Sequence, residues 1–456
     1  MIHIESVSGH TSRTYWLEVK KGTWNSISSA LTWCAFFIFL WFLLPAISSG
    51  ETVAAGERLT LQRAIDAALK NQPSILAGIY AVRAGEARIG QAQSNYYPQI
   101  NASGAYTRTS PASTTTGQTS TINAFNQYVS SVGLNQMIFD FGKTPTQVNI
   151  DKLNTESSRF DLSNIRDIVV LNVKQAYYNV LQAERNKDVA IESVKQFQQH
   201  LEQAQGFFAV GTSAKFDVTK AEVDLSNAKL NLIKAENQVR LNKVALNSAM
   251  GISGGPDYSL ENNLFFVKYG LPFEEAITKA YDQRSDLLSL IKRKEAAKAS
   301  IALARKGYTP VLTGSANYYY TGIGFPLDNG WNYGMNLSIP IFSGFLTTYQ
   351  VAEARENYNS LNANEQSLRL DIYSQTQQGY LNLRQAEESL GTTELTVRQA
   401  KENVELATGR YRAGVGSPLE VTDALVSLNN AEVAYTQALT DYKNAQAAIE
   451  KAIGVR

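Results

Sequence analysis

The sequence predicts an α+β membrane protein built from two structural repeats. Each repeat runs helix, strand, strand, long helix, returning helix. As a trimer it would close a twelve-stranded β-barrel that continues into a long α-helical coiled-coil tunnel. Three observations predict this: an internal repeat covering most of the chain, ten-residue stretches of period-2 sequence in each half, and long helices with an apolar period of 3.5.

The repeat is read directly from the letters. LTLQRAIDAALKNQPSIL (59–76) matches LPFEEAITKAYDQRSDLL (271–288), and YYPQI (96–100) matches YTPVL (308–312), both at an offset of 212. From LNQMIFDFG (134–142) against LSIPIFSGF (337–345) the offset is 203, and it stays 203 to the end. The nine-residue difference falls in RTSPASTTTGQTSTINAF (108–125), a low-complexity stretch that reads as an exposed flexible loop. The halves are therefore 59–252 and 271–455, joined by a turn-rich linker at 253–270. Ahead of them, residues 1–50 read as a leader, with Lys20 and Lys21 before the apolar run Leu31–Leu44. Fourteen apolar residues suit a signal peptide and are few for a membrane helix.

Composition narrows the partners. Lys+Arg number 42 against 41 Asp+Glu, so charge gives no reason to expect nucleic acid. The only cysteine, Cys34, lies in the leader, so the remainder must gain stability from a large core or from oligomerisation.

Each opening helix, about 37 residues, is expected to end near Pro98 or Pro310, because the residue before proline is pushed out of the α region. Strands are expected at about 99–108, 127–139, 311–321 and 331–341. In the last, Trp331, Tyr333, Met335, Leu337 and Ile339 alternate with Asn332, Gly334, Asn336 and Ser338. Such alternation fits a membrane barrel strand and equally half of a soluble antiparallel sheet.

The helices decide between the two. From Val169 through Val173, Ala176, Val180 and onward to Tyr411's repeat partner Phe208, apolar or small residues step by threes and fours, and adding 203 gives a second such series ending at Tyr411. This is a coiled-coil seam. Pro145 to Val210 is 66 residues, about 100 Å of helix. The shorter returning helices are completed in length by the opening helices stacked end to end on them. Between descending and returning helices lie FFAVGTSAKFDV and RYRAGVGSPLEV, hairpin tips in which Gly211 and Gly414 suit a positive-φ C-cap. Ser213 and Ser417 are N-cap candidates, with Pro418 at the first helical position. Four strands cannot close a barrel, and lipid does not tolerate open sheet edges, so the chain must oligomerise; three copies supply twelve strands and twelve helical rows.

The doubled layout, with YYPQI/YTPVL entering the strands, MIFDFG/IPIFSG leaving them and FAVGTSAKFDV/YRAGVGSPLEV at the tips, resembles the TolC-type outer-membrane efflux proteins across 59–455. The resemblance implies a homotrimeric channel in the outer membrane of a diderm bacterium. It would dock through Gly211, Thr212, Gly414 and Val415 onto a periplasmic adaptor and an inner-membrane pump, for efflux or type I secretion. It maps an acidic periplasmic entrance onto Glu420 and Asp423, and a gate-closing link onto Asp217 and Tyr411. The family prototype's gate arginine has no counterpart, because Gly416 stands there.

Local readings stand beside these. Ser417-Pro-Leu-Glu420 is also a capping box, Asp423 also an ordinary solvated carboxylate. Trp331, Tyr333, Tyr318 and Tyr320 read as an interfacial aromatic girdle. His200, the only histidine after the leader, reads as a tolerated surface residue on its helix. With no thiol, phosphate-binding loop or histidine pair at metal spacing, neither enzyme chemistry nor a cofactor is expected. The rival from another class is a non-conducting periplasm-spanning tether.

Overall fold

The computed structural model describes residues 56–110, 124–254 and 257–455. The leader and most of the 108–125 insertion lie outside the described residues. Helices are α1 (Leu61–Asn71), α2 (Pro73–Gln93), α3 (Lys143–Ala209), α4 (Lys215–Ala249), α5 (Phe273–Gln283), α6 (Ser285–Arg305), α7 (Leu346–Arg412) and α8 (Pro418–Ala452). Strands are β1 (Arg58–Leu59), β2 (Gln99–Thr109), β3 (Phe125–Phe139), β4 (Ser259–Leu260), β5 (Val311–Gly322) and β6 (Asp328–Ser338).

The four long strands form one antiparallel sheet in the order β2-β3-β5-β6, leaving β2 and β6 as open edges. Register sorts the side chains by face. Ile100, Leu134, Ala316 and Tyr333 line up across the sheet, as do Ala102, Val132, Tyr318 and Trp331. The intervening row is Asn101, Gly133, Asn317 and Asn332, with Asn317 Nδ2 donating to Asn332 Oδ1 at 3.0 Å. One face is apolar and exposed, the other polar. β6 stops at Ser338 rather than near 341, so Ile339 lies outside it. Pro340 follows, and without an N–H it cannot extend the ladder.

α3 and α7 have 67 residues each, about 100 Å of helix. Below the sheet the helices stand side by side in the order α2, α3, α6, α7, and toward the tips in the order α4, α3, α8, α7. The seam holds along both long helices: Val173, Val180, Ala183 and Leu201 are buried on α3, Ile372, Leu383, Leu390 and Ala407 on α7. It fails at Phe208, which turns outward while Phe207 packs inward.

Each opening helix is broken in two, contrary to the single helix of about 37 residues read from the sequence. Gln72 is extended because Pro73 follows. Arg284 is extended at the matching point, and its guanidinium clasps Asp286 with Nη2–Oδ2 at 2.6 Å. Burial opposes ionisation of Asp286, but these hydrogen bonds hold its carboxyl below the usual range. The breaks let the second piece stack on the returning helix: Gln72 Nε2 donates to the carbonyls of Ser248 and Ala249, closing the C-terminal end of α4. The linker wraps this equator. β1 and β4 pair in parallel, and Tyr177 Oη donates to the carbonyls of Leu59 and Glu261 at 3.0 and 2.8 Å.

Candidate functional site

Two ends of the protomer carry chemistry, the sheet and the hairpin tips. On the sheet's apolar face Trp331 and Tyr333 stack with ring centroids 5.8 Å apart, and Tyr318 meets Tyr320 edge-on at 5.4 Å. All four are exposed. Sequence reading missed a second aromatic group where the sheet gives way to helix. Phe139 packs on Phe141 at 4.7 Å and Phe342 on Phe345 at 5.5 Å, with Tyr97 and Tyr349 also exposed. The doubled IF of MIFDFG and IPIFSG was the available signal.

At the tips Gly211 and Gly414 adopt φ of +81° and +75°, the left-handed C-cap geometry that disfavours a side chain. The N–H and Oγ1 of Thr212 both donate to the Phe207 carbonyl at 3.0 Å, so this side chain is spent inside the tip. Val415 is exposed, together with Val210, Phe216 and Leu419, which sequence reading had not singled out. Phe216 and Leu419 are 203 apart, so the repeat alone would have paired them.

The two tips start their returning helices differently. Ser417 Oγ accepts from Leu419 N at 3.2 Å and caps α8. Ser213 does not cap α4. Its hydroxyl donates to Asp217 Oδ2 at 2.7 Å, and Ala214 occupies the cap position. The capping box at Ser417 is not completed by Glu420, whose carboxylate accepts from Arg410 Nε at 3.2 Å. Arg410 Nη2 also donates to the Val415 carbonyl at 3.2 Å, strapping the tip loop at its surface. Asp423 is exposed on α8. Gly416 explains the absent arginine: a Cβ there would lie 2.8 Å from the Tyr411 backbone nitrogen. Of the two arginines in the last turn of α7, Arg410 is the one that bonds the tip, a position sequence reading passed over.

Tyr411 is buried at 5% exposure within a cluster drawn from α3, α4, α7 and α8. Its hydroxyl makes no hydrogen bond within the chain, and Asp217 is already engaged by Ser213, so the two are near but not linked in one protomer. Burial, and then the Asp217 charge, push the Tyr411 phenol upward. His200 is not a surface residue. It is 4% exposed, with its ring 5.6 Å from that of Tyr411, beside the apolar cluster where α3, α4, α7 and α8 meet.

Among the described residues, no group of three or more His, Cys, Asp or Glu side chains is arranged to hold a metal ion, and no helix is long and apolar enough to cross a membrane.

Comparison with known proteins places this geometry. The pattern of the family "Outer membrane efflux protein" matches residues 64–252 and 276–455, one match per repeat. "Outer membrane protein TolC" of Escherichia coli is 23% identical over 385 residues, 80% of this chain and 76% of that protein. "Outer membrane efflux protein BepC" of Brucella suis is 22% identical over 420 residues, covering 90% and 89%. Among solved structures, the CmeC outer membrane channel of Campylobacter jejuni superposes with a TM-score of 0.76 at 20% identity, covering 86% of this chain and 85% of that one. The open state of the MtrE outer membrane channel of Neisseria gonorrhoeae gives 0.73 at 18%, covering 89% and 94%. The chain belongs to the outer membrane efflux protein family, as a TolC-type protein of the Gram-negative outer membrane with a large periplasmic part.

Proposed function

We propose that three copies of the chain assemble into the exit duct of a tripartite efflux or type I secretion machine. The duct conducts passively, from an adaptor and inner-membrane pump at its tips, across the periplasm and the outer membrane. The observation that carries this reading is a pair of open margins running the length of the protomer. One is β2, α2 and α4; the other is β6 and α7. Both margins expose apolar residues that find no partner in one chain: Val223, Leu230, Ile233 and Val244 on α4, and Leu370, Leu381, Leu395 and Leu406 on α7. An open sheet edge is not tolerated in lipid, and four strands do not close. Pairing β6 and α7 of one copy with β2, α2 and α4 of the next repairs the sheet and both helix margins together.

In this duct the apolar face with Trp331, Tyr333, Tyr318 and Tyr320 meets lipid, and the polar face lines water. Gly211, Gly414 and Val415, with Val210, Phe216 and Leu419, form the adaptor-facing end. Asp423 and Glu420 ring the entrance, Glu420 partly neutralised by Arg410. Asp217 and Tyr411 are the residues that tie the entrance closed once neighbouring copies are in place. A non-conducting tether is the lesser reading, since a tether has no use for a water-lined polar face opposite an apolar one.

The test is single-channel recording of the purified protein in planar bilayers, wild type beside Glu420→Ala/Asp423→Ala. Discrete conductance steps with a cation preference that falls in the double variant are expected. Bilayer-inserted trimers that stay silent, even in variants loosened at the tips, would favour the tether.

A further inference from the structure

We infer that His200 is a proton-sensing element of the periplasmic tip: neutral, it seals the junction of the four helices, and protonated, it releases them. This rests on the duct reading above and deepens it, naming a regulator of the entrance.

The geometry is that of an aromatic stack, largely buried, in which one member is an imidazole. Phe207 meets the Tyr411 ring edge-on at 5.2 Å, and His200 meets the same ring at 5.6 Å. Around them Leu201, Val218, Val421 and Leu425 are buried. His200 Nδ1 is enclosed and accepts no hydrogen bond, an arrangement a neutral imidazole tolerates far better than a cation. Burial accordingly lowers the His200 basicity.

Charge faces the ring from three of the four helices packed here. α3 carries Glu192 on the same side as His200; α4 carries Asp217, Lys220 and Asp224; α7 carries Glu405 and Arg412. α8 contributes Thr422, which donates to Asp224 Oδ2 at 3.2 Å. Asp224 bonds Lys220, with Nζ–Oδ1 at 2.5 Å, and Asp217 bonds Ser213; both carboxylates favour the imidazolium, but burial outweighs them. Beside the ring opens a groove of about 770 Å³ lined by Gln196, Gln199, Gln203, Glu405 and Arg412. A charged imidazole that left the stack would enter this polar, water-accessible groove, and Tyr411 would lose one of its two ring neighbours.

The sign follows from linkage. In the sealed tip the neutral form is favoured, so sealing is fully supported above about pH 6.5, the ordinary value of a solvated histidine. Below it the released form binds the proton first, and the equilibrium moves toward release by up to about tenfold per pH unit in each chain. Histidine is the one side chain whose ordinary value lies between pH 5 and 8, so the window points to this residue.

Two measurements on the intact trimer test the inference, with His200→Gln and His200→Phe beside wild type. Open probability in bilayers should rise several-fold as periplasmic-side pH falls from 7.5 to 5.5 in wild type and stay flat in both variants. Hydrogen exchange of tip amides, corrected for intrinsic pH dependence, should show the same pattern without needing conduction. A packing role alone would loosen the tip at every pH and leave the pH slope intact. Conducting channels with pH-independent opening, or an equal slope in the variants, overturn the inference and leave the duct standing. A histidine-dependent slope in exchange with no conductance at any pH keeps the sensor and sinks the duct.

Discussion

The two long helices are copies of one another in sequence and differ in what they do. α3 buries twenty residues and α7 buries ten. The seam is shared; the back of each helix is not. α3 stands inside the protomer between α4 and α8, whereas α7 stands at its edge with Leu370, Leu381, Leu395 and Leu406 uncovered. At the hairpin tips the contrast reverses. At equivalent positions 203 apart, Phe208 is 44% exposed with Lys215 over its ring at 5.8 Å, while Tyr411 is buried against His200 and Phe207. Duplication supplied one hairpin; position in the row made α3 a core and α7 a margin along their length, and the tips turned the other way.

The sharpest way to break this comparison is to place the same charge on both helices. Val173→Asp on α3 buries an unpaired carboxylate among fully buried neighbours and is expected to prevent folding, at a cost of several kcal/mol. Leu370→Asp on α7 should leave a folded protomer, by circular dichroism, that no longer assembles, by size-exclusion chromatography. Equal effects at the two sites would erase the distinction between core and margin. Next comes the tip pair. Tyr411→Ala is expected to lose about 3–5 kcal/mol locally, as large aromatic truncations in cores do. Phe208→Ala should lose within about 1 kcal/mol, both read as tip hydrogen exchange.

Smaller effects separate the two serines. Ser417→Ala removes a formed cap and should cost about 1 kcal/mol of α8 stability. Ser213→Ala removes only a hydroxyl bond to Asp217 and should cost less, judged by exchange in the first turn of each returning helix. The smallest effect lies at the half-exposed Arg410–Glu420 pair, about 0.2–1 kcal/mol and reduced by salt. Arg410→Ala should barely change stability, yet raise cation preference in bilayers by freeing Glu420. Asp423→Ala should lower that preference more than Glu420→Ala.

The seam was legible because a 3.5 period is a local property of one helix. So were the glycine-centred tips, since a positive φ leaves its residue type in the letters. His200 was not legible: its burial depends on the Tyr411 ring and on the helices that meet at the tip, and its repeat partner is Asn403, so duplication offers no second copy to read. Arg410 was hidden for a related reason. It occupies the last turn of its helix, where a basic residue already suits the helix dipole, so nothing local required its bond to Glu420. The break at Gln72 was available from Pro73; its twin at Arg284 has no proline, and the contacts of its guanidinium with Asp286, with Gln375 on α7 and with the end of α8 account for it.

The measurement that tests the paired margins most directly is the native mass of the detergent-extracted particle, for wild type and Leu370→Asp. The account predicts a particle of three chains for wild type and single folded chains for the variant. A wild-type chain that is folded, membrane-inserted and monomeric would contradict it.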